Sequence, residues 1–187
     1  MLARGEYSNL DNFLETSSNH VVLEGQPGVG KTVYLTYCLV RRLIAGLPTI
    51  FAKQKDDRYL FLDSGVYWIP SYSFNLSGHP PFTDRVLVKN TLVLFDLNEM
   101  QSTPEQFQHW RVLASSSPQP GRCKEWAKHR LAKSWTMKTW SSGEINFARY
   151  CSMEGSALRN AVVDDLERER LVPFCRNILV TEESNCF

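Results

Sequence analysis

Eight consecutive residues, Gly25-Gln26-Pro27-Gly28-Val29-Gly30-Lys31-Thr32, have the types and spacing needed to hold a phosphate chain. They match G-x-x-x-x-G-K-[ST] at every fixed position. Glycines let the backbone turn successive N–H groups inward, forming a concave nest that favours anions. A helix opening at the end of such a loop adds unsatisfied N–H donors and the positive end of its dipole. In that chemistry Lys31 reaches the β- and γ-phosphates of a nucleotide, and the Thr32 hydroxyl ligates Mg²⁺. The competing reading is an ordinary Gly-rich turn, and the flanking pattern tells against it.

Thr91-Leu92-Val93-Leu94-Phe95-Asp96 is the second chemically loaded stretch. An apolar run ending in an acid describes a buried strand that delivers a carboxylate at its C-terminal end, where open α/β sheets bind ligands. Asp96 therefore suits a share in the Mg²⁺ site. A group to activate water is harder to assign. The residue after Asp96 is Leu97, followed by Asn98 and Glu99. Glu99 is the candidate base or else a solvated surface residue; Asn98 can orient a water but cannot accept its proton. Arg111-Val112-Leu113-Ala114 runs into Ser115-Ser116-Ser117-Pro118, a strand ending in hydroxyls. Ser116 is the favoured contact to a γ-phosphate or attacking water, against a plain Ser/Pro loop.

The elements around these residues are legible from periodicity. Val21-Val22-Leu23 reads as a strand feeding the loop, and Val33, Leu35, Leu39, Val40, Leu43 and Ile44 recur at helical spacing after it. Gly46-Leu47-Pro48 stops that helix, and Thr49-Ile50-Phe51-Ala52 returns as a strand, giving a βαβ unit. Tyr59–Leu62 and Val66–Ile69 flank Asp63-Ser64-Gly65 as a hairpin whose aromatics are packing residues rather than a base-stacking platform. Ser71 to Asp84 is loop. Arg122 to Lys138 carries six basic residues against Glu125. It reads as a solvated helix face with Trp126, Ala127 and Leu131 inward, or as an arginine finger or acidic-partner patch in which Arg122 and Arg130 are the candidates. Trp135-Thr136-Met137 suggests a last strand, Ser141 with Glu144 a capping box, and residues 157–171 a mixed-charge helix.

Composition bounds the rest. A chain of 187 residues, 43% hydrophobic and 22% charged, fits one soluble globular domain. A net charge of +1 leaves no global footprint for nucleic acid. No run reaches membrane-span length, and the start lacks a secretory or transit pattern. Five dispersed cysteines without C-x-x-C read as reduced thiols. The expectation is an intracellular, cytoplasmic protein.

With both nucleotide motifs placed, the chain resembles phosphate-loop (P-loop) NTPases of the AAA+/STAND-like branch. More narrowly it is similar to the NTPase domains of fungal and oomycete Crinkler and retrotransposon-hot-spot-like proteins. Residues 25–32 carry the likeness with Tyr34-Leu35, Arg41-Arg42-Leu43, Ser116-Ser117-Pro118, Arg122-Cys123-Lys124-Glu125-Trp126 and Met137-Lys138-Thr139-Trp140-Ser141 before Glu144. It covers roughly residues 18 to 150. It implies a three-layer α/β/α fold with a mainly parallel sheet, and a sensor strand between the phosphate-loop strand and the strand of Asp96. The chain then divides into a lead-in over 1–17, a core over 18–150 and a helical extension over 151–187. Two departures stand out. Leu97 replaces the usual catalytic Glu, and the extension is shorter than a full helical lid, so a neighbouring chain would complete the pocket or the lid is lacking.

The function expected is ATP–Mg²⁺ binding with hydrolysis of the β–γ bond. The alternatives are a non-hydrolysing nucleotide-dependent interaction module and a small-molecule or nucleotide kinase. A protein partner or a second copy of the chain is the expected macromolecular contact. A GTPase is disfavoured because Asp96-Leu97-Asn98-Glu99 is not D-x-x-G and no N-K-x-D is present.

Overall fold

A computed structural model describes residues 4–54, 58–69, 84–98, 101, 103–116 and 123–146. The chain divides into two compact units, one made of Ala3–Asp63 and Tyr67–Thr139, the other drawn mainly from residues after 139 with Ser64–Val66. Helix α1 (Gly5–Thr16) leads to β1 (Val21–Glu24), α2 (Lys31–Ile44) and β2 (Thr49–Ala52). Then follow β3 (Arg58–Leu62), β4 (Gly65–Trp68), α3 (Arg85–Asn90) and β5 (Leu92–Asp96). A 3-10 turn (Glu105–Phe107), β6 (Arg111–Ser115), α4 (Lys124–His129) and β7 (Lys133–Thr136) complete the first unit.

The described strands form one sheet in the order β4-β3-β2-β5-β6-β1-β7. The neighbours from β2 to β7 pair parallel, and β3 is antiparallel to β2. The class is therefore α/β with a mostly parallel sheet, and β6 lies between β1 and β5. Apolar side chains from the central strands enter both faces, which is the pattern of strands buried on two sides. Val21, Leu23, Leu92, Leu94 and Leu113 face one cluster with Tyr7, Leu10, Leu14, Tyr34, Leu35 and Cys38 of α1 and α2. Val22, Val93, Phe95, Val112 and Ala114 face the other, with Phe107, Trp110 and Trp126. Full burial of side chains such as Leu94, Phe95 and Leu113 contributes about 1.5–3 kcal/mol each.

α1 packs as part of the core, with Tyr7, Leu10 and Leu14 buried. Three local expectations change. On α2 the sheet-facing stripe is Tyr34, Leu35, Cys38 and Leu39, while Val33, Val40 and Ile44 are exposed. The helix is rotated so that the tyrosine row meets α1, which apolar periodicity alone does not specify. Leu131, expected inward, is 80% exposed because α4 ends at His129 and Leu131 takes a positive φ of 49°. Tyr67 and Trp68 of β4 are also exposed. The short helix α3, capped by Asp84 accepting from the Val86 N–H at 2.8 Å, lies just past residues read as loop.

In the second unit the Ser141–Glu144 capping box forms as expected. The Ser141 N–H donates to Glu144 Oε2 at 2.8 Å and the Glu144 N–H to Ser141 Oγ at 3.2 Å, opening a turn of helix over 142–146. The expected helix at 157–171 lies outside the described residues. Among the described residues no helix is long and apolar enough to cross a membrane.

Candidate functional site

The loop from Gly25 to Gly30 joins the C-terminal end of β1 to the first turn of α2, so the strand–loop–helix order required of a phosphate loop is present. Gly25 has φ of +144°, and a Cβ there would meet the Met137 carbonyl oxygen at 3.0 Å and the Val29 side chain at 3.2 Å. A side chain there would force these neighbours to give by a few tenths of an ångström, in a backbone conformation that L residues rarely adopt. Gly30 caps α2 with φ of 99°, a left-handed conformation that favours glycine. Val29 is buried and anchors the loop in the core, while Gln26, Pro27 and Gly28 are exposed. Anchor and arch together place the α2 N-terminus, with Thr32 exposed, at the C-terminal end of the parallel strands.

Lys31 Nζ donates to the Gly25 carbonyl at 2.7 Å and the Gln26 carbonyl at 2.9 Å. Its ammonium thus closes over the arch from the helix side. Partial burial lowers its pKa, and the Asp96 carboxylate opposes that shift.

Asp96 ends β5, and its placement follows from the pleat. Leu92 and Leu94 face α1 and α2, so Asp96, two residues on, shares that face. Thr32, in the first turn of α2, donates to Asp96 Oδ1 at 3.5 Å across 64 residues of sequence. The β5–β6 register pairs Asp96 with Ser115, and Ser115 Oγ donates to the same Oδ1. Three oxygen-bearing side chains from three elements therefore meet at the helix N-terminus.

Ser115 is the residue that sequence reasoning passed over in favour of Ser116. Leu113 faces α2, so by alternation Ser115 does too. Ser116 lies past the strand, buried, with its N–H donating to the Leu23 carbonyl at 2.9 Å. Leu97 is on the opposite face from Asp96, buried with Phe95 and Val93. The Asn98 amide donates to the Lys53 carbonyl at 2.9 Å and the Asp96 carbonyl at 3.2 Å, which makes it a brace for the strand end. Gln101 was also missed. Its buried Nε2 bonds the carbonyls of Ala52 at 2.9 Å and Asp96 at 3.0 Å, tying β2 to β5 beside the site. Glu99 and Arg122 lie outside the described residues. Arg130 follows α4 and acts electrostatically on His20, at the end of β1 remote from the loop.

Two further residues support the loop from beneath. Arg4 Nη1 donates to the Val29 carbonyl at 2.7 Å, and Tyr7 Oη to the Gly30 carbonyl at 3.2 Å. Asp11 accepts from Tyr34 at 2.7 Å, from Tyr37 at 3.3 Å and from Arg41, fixing α1 along α2. No spacing rule connects α1 to the loop, so only folding could reveal this layer.

A divalent ion with oxygen preference fits the donor set of the Thr32 hydroxyl and the Asp96 carboxylate, because Mg²⁺ is held by one or two carboxylates together with phosphates. Among the described residues no group of three or more His, Cys, Asp or Glu side chains could hold an ion without such a ligand. No protein-family model and no curated protein matches the chain.

Proposed function

We propose that this chain binds ATP with Mg²⁺ through residues 25–32 and Asp96 and hydrolyses the β–γ phosphoanhydride bond. The observation that carries the proposal is the meeting of Thr32 and Ser115 with Asp96 Oδ1 beside the loop that ends in Lys31. A glycine loop alone can be a turn; a glycine loop whose helix begins against a strand-end carboxylate has a further chemical purpose. The position of β6 between β1 and β5 supports the same view, and with it a three-layer phosphate-loop NTPase fold of the AAA+/STAND-like type.

The loop N–H groups and the α2 N-terminus would hold the β-phosphate, and Lys31 would place its charge on the β- and γ-phosphates. Thr32 and Asp96 would hold the Mg²⁺, which when bound neutralises phosphate charge. Water attacks the γ-phosphorus in line, the bond to the bridging oxygen breaks, and ADP leaves. Glu99 is the group offered to take the proton from that water, and the β6 end offers the Ser116 hydroxyl to the γ-phosphate.

A non-hydrolysing nucleotide switch has its own supporting observation. Leu97 is turned into the core and both Asn98 amide hydrogens face carbonyls, so neither residue can take a proton from water. Phosphate release under single-turnover conditions separates the two. Hydrolysis expects release that falls at least about 100-fold in Glu99→Gln with ATP still bound. Bound ATP that is neither hydrolysed at high protein concentration nor consumed on addition of phosphoryl acceptors leaves the switch.

A further inference from the structure

We infer that Arg4 is a positioning residue for the phosphate loop, acting with Tyr7 to hold the loop's outer carbonyls so that its N–H groups face the ligand. The inference rests on the phosphate-loop reading above and concerns what keeps that loop in shape. Arg4 precedes α1 and is only 4% exposed. Its guanidinium donates to the Val29 carbonyl at 2.7 Å, and also to the carbonyls of Lys138 at 3.2 Å and Thr139 at 3.3 Å. One rigid, planar cation thus spans the phosphate loop and the segment after β7, a task suited to a fork of several fixed donors.

Peptide planarity turns this contact into a directional one. In a trans peptide the C=O of one residue and the N–H of the next point to opposite sides. With the Val29 carbonyl held by Arg4, the Gly30 N–H points away from Arg4. Tyr7 Oη takes the Gly30 carbonyl, which already accepts the Tyr34 N–H at 2.8 Å, and so sets the next peptide plane in the same sense. These are consecutive planes in the stretch where a nest must present its N–H donors. A Gly-rich loop is free to rotate those planes, and any such freedom has to be removed when the ligand binds. Arg4 removes it beforehand, from an element more than twenty residues upstream.

The test is nucleotide affinity of the whole chain, by titration of a fluorescent ADP or ATP analogue with Mg²⁺. It is run on wild type, Lys31→Ala, Arg4→Met, Arg4→Lys and Arg111→Met, each with its ligand-free melting temperature. Arg111 is the control. Its guanidinium also serves main-chain carbonyls, those of Asn19 at 3.0 Å and Leu14 at 2.8 Å, but away from the loop. Arg4→Met is expected to bind about tenfold more weakly, the effect of losing one charge-assisted hydrogen bond that orders the site. Arg4→Lys, whose single ammonium cannot span both segments, is expected to lose about threefold. Arg111→Met is expected to melt lower and bind as wild type. If Arg4→Met does not fold, Arg4→Lys decides the matter. Wild-type affinity in the Arg4 variants, or equal loss in Arg111→Met, overturns the inference and leaves the phosphate-loop reading standing. Unchanged affinity in Lys31→Ala overturns both.

Discussion

The two ends of the parallel strands gather different side chains. At the N-terminal ends, arginines donate to helix-end and loop oxygens. Arg42 bonds Thr49 Oγ1 and the Pro48 and Asn90 carbonyls, each at 2.8 Å, and Arg111 bonds those of Asn19 and Leu14. At the C-terminal ends, Lys31, Thr32, Asp96 and Ser115 gather around the start of a helix. The direction of the chain explains both. In strand–helix–strand units the helices finish where the strands begin, leaving unpaired carbonyls that attract cations. They start where the strands finish, leaving N–H donors that attract anions. The carbonyl-rich ends of the strands are thus covered by arginines, and the N–H-rich ends carry the start of α2 with Thr32 exposed.

Lys31→Ala should break this contrast most severely. ATP affinity is expected to fall about 100-fold or more, with the ligand-free melting temperature nearly unchanged, since the lysine holds only an exposed arch. Calorimetric titration beside thermal melting checks both halves. Asp96→Asn should come next, weakening binding about tenfold in Mg²⁺ and little in EDTA. A loss of equal size in EDTA would remove Asp96 from the ion's site. At the other edge, Arg111→Met should lower unfolding free energy by on the order of 2 kcal/mol in urea, by losing charged hydrogen bonds to carbonyls.

The smallest effect concerns His20, also at that edge. Its Nδ1 accepts the Val112 N–H at 3.3 Å, so the ring is neutral there, and burial, with Arg130 and Arg111 beside it, lowers its pKa from 6.5. Between the folded value and 6.5 the unfolded chain binds more protons, so stability falls as pH drops through that window. His20→Asn, whose side-chain oxygen can accept the same bond, should flatten the fall in melting temperature below about pH 6.5 relative to wild type. An identical slope in the two proteins would remove His20 as a source of acid sensitivity.

The loop, its flanking strand and helix, and the strand ending in Asp96 were all legible, because each is a local pattern of residue types at fixed spacing. The capping box of Ser141 and Glu144 was legible for the same reason. Ser115 was half legible. Alternation from Leu113 points it toward α2, but its partner depends on the β5–β6 register, which pairs residues 19 apart. The outward turn of Val33 and Ile44 on α2 was hidden because it depends on which side of that helix α1 covers. Arg4 and Tyr7 fall in the stretch read only as a lead-in, since nothing local says that a residue there will reach a carbonyl 25 positions on.

By itself the sequence determined where a glycine loop would join a strand to a helix and which carboxylate would end a nearby strand. Both follow from short-range backbone preferences and side-chain chemistry. Only the tertiary structure decided which hydroxyl joins that carboxylate, that Leu97 is lost to the core, and that α1 braces the loop. Those outcomes depend on strand order, register and helix rotation, which are set by the packing of the whole core and not by any one segment.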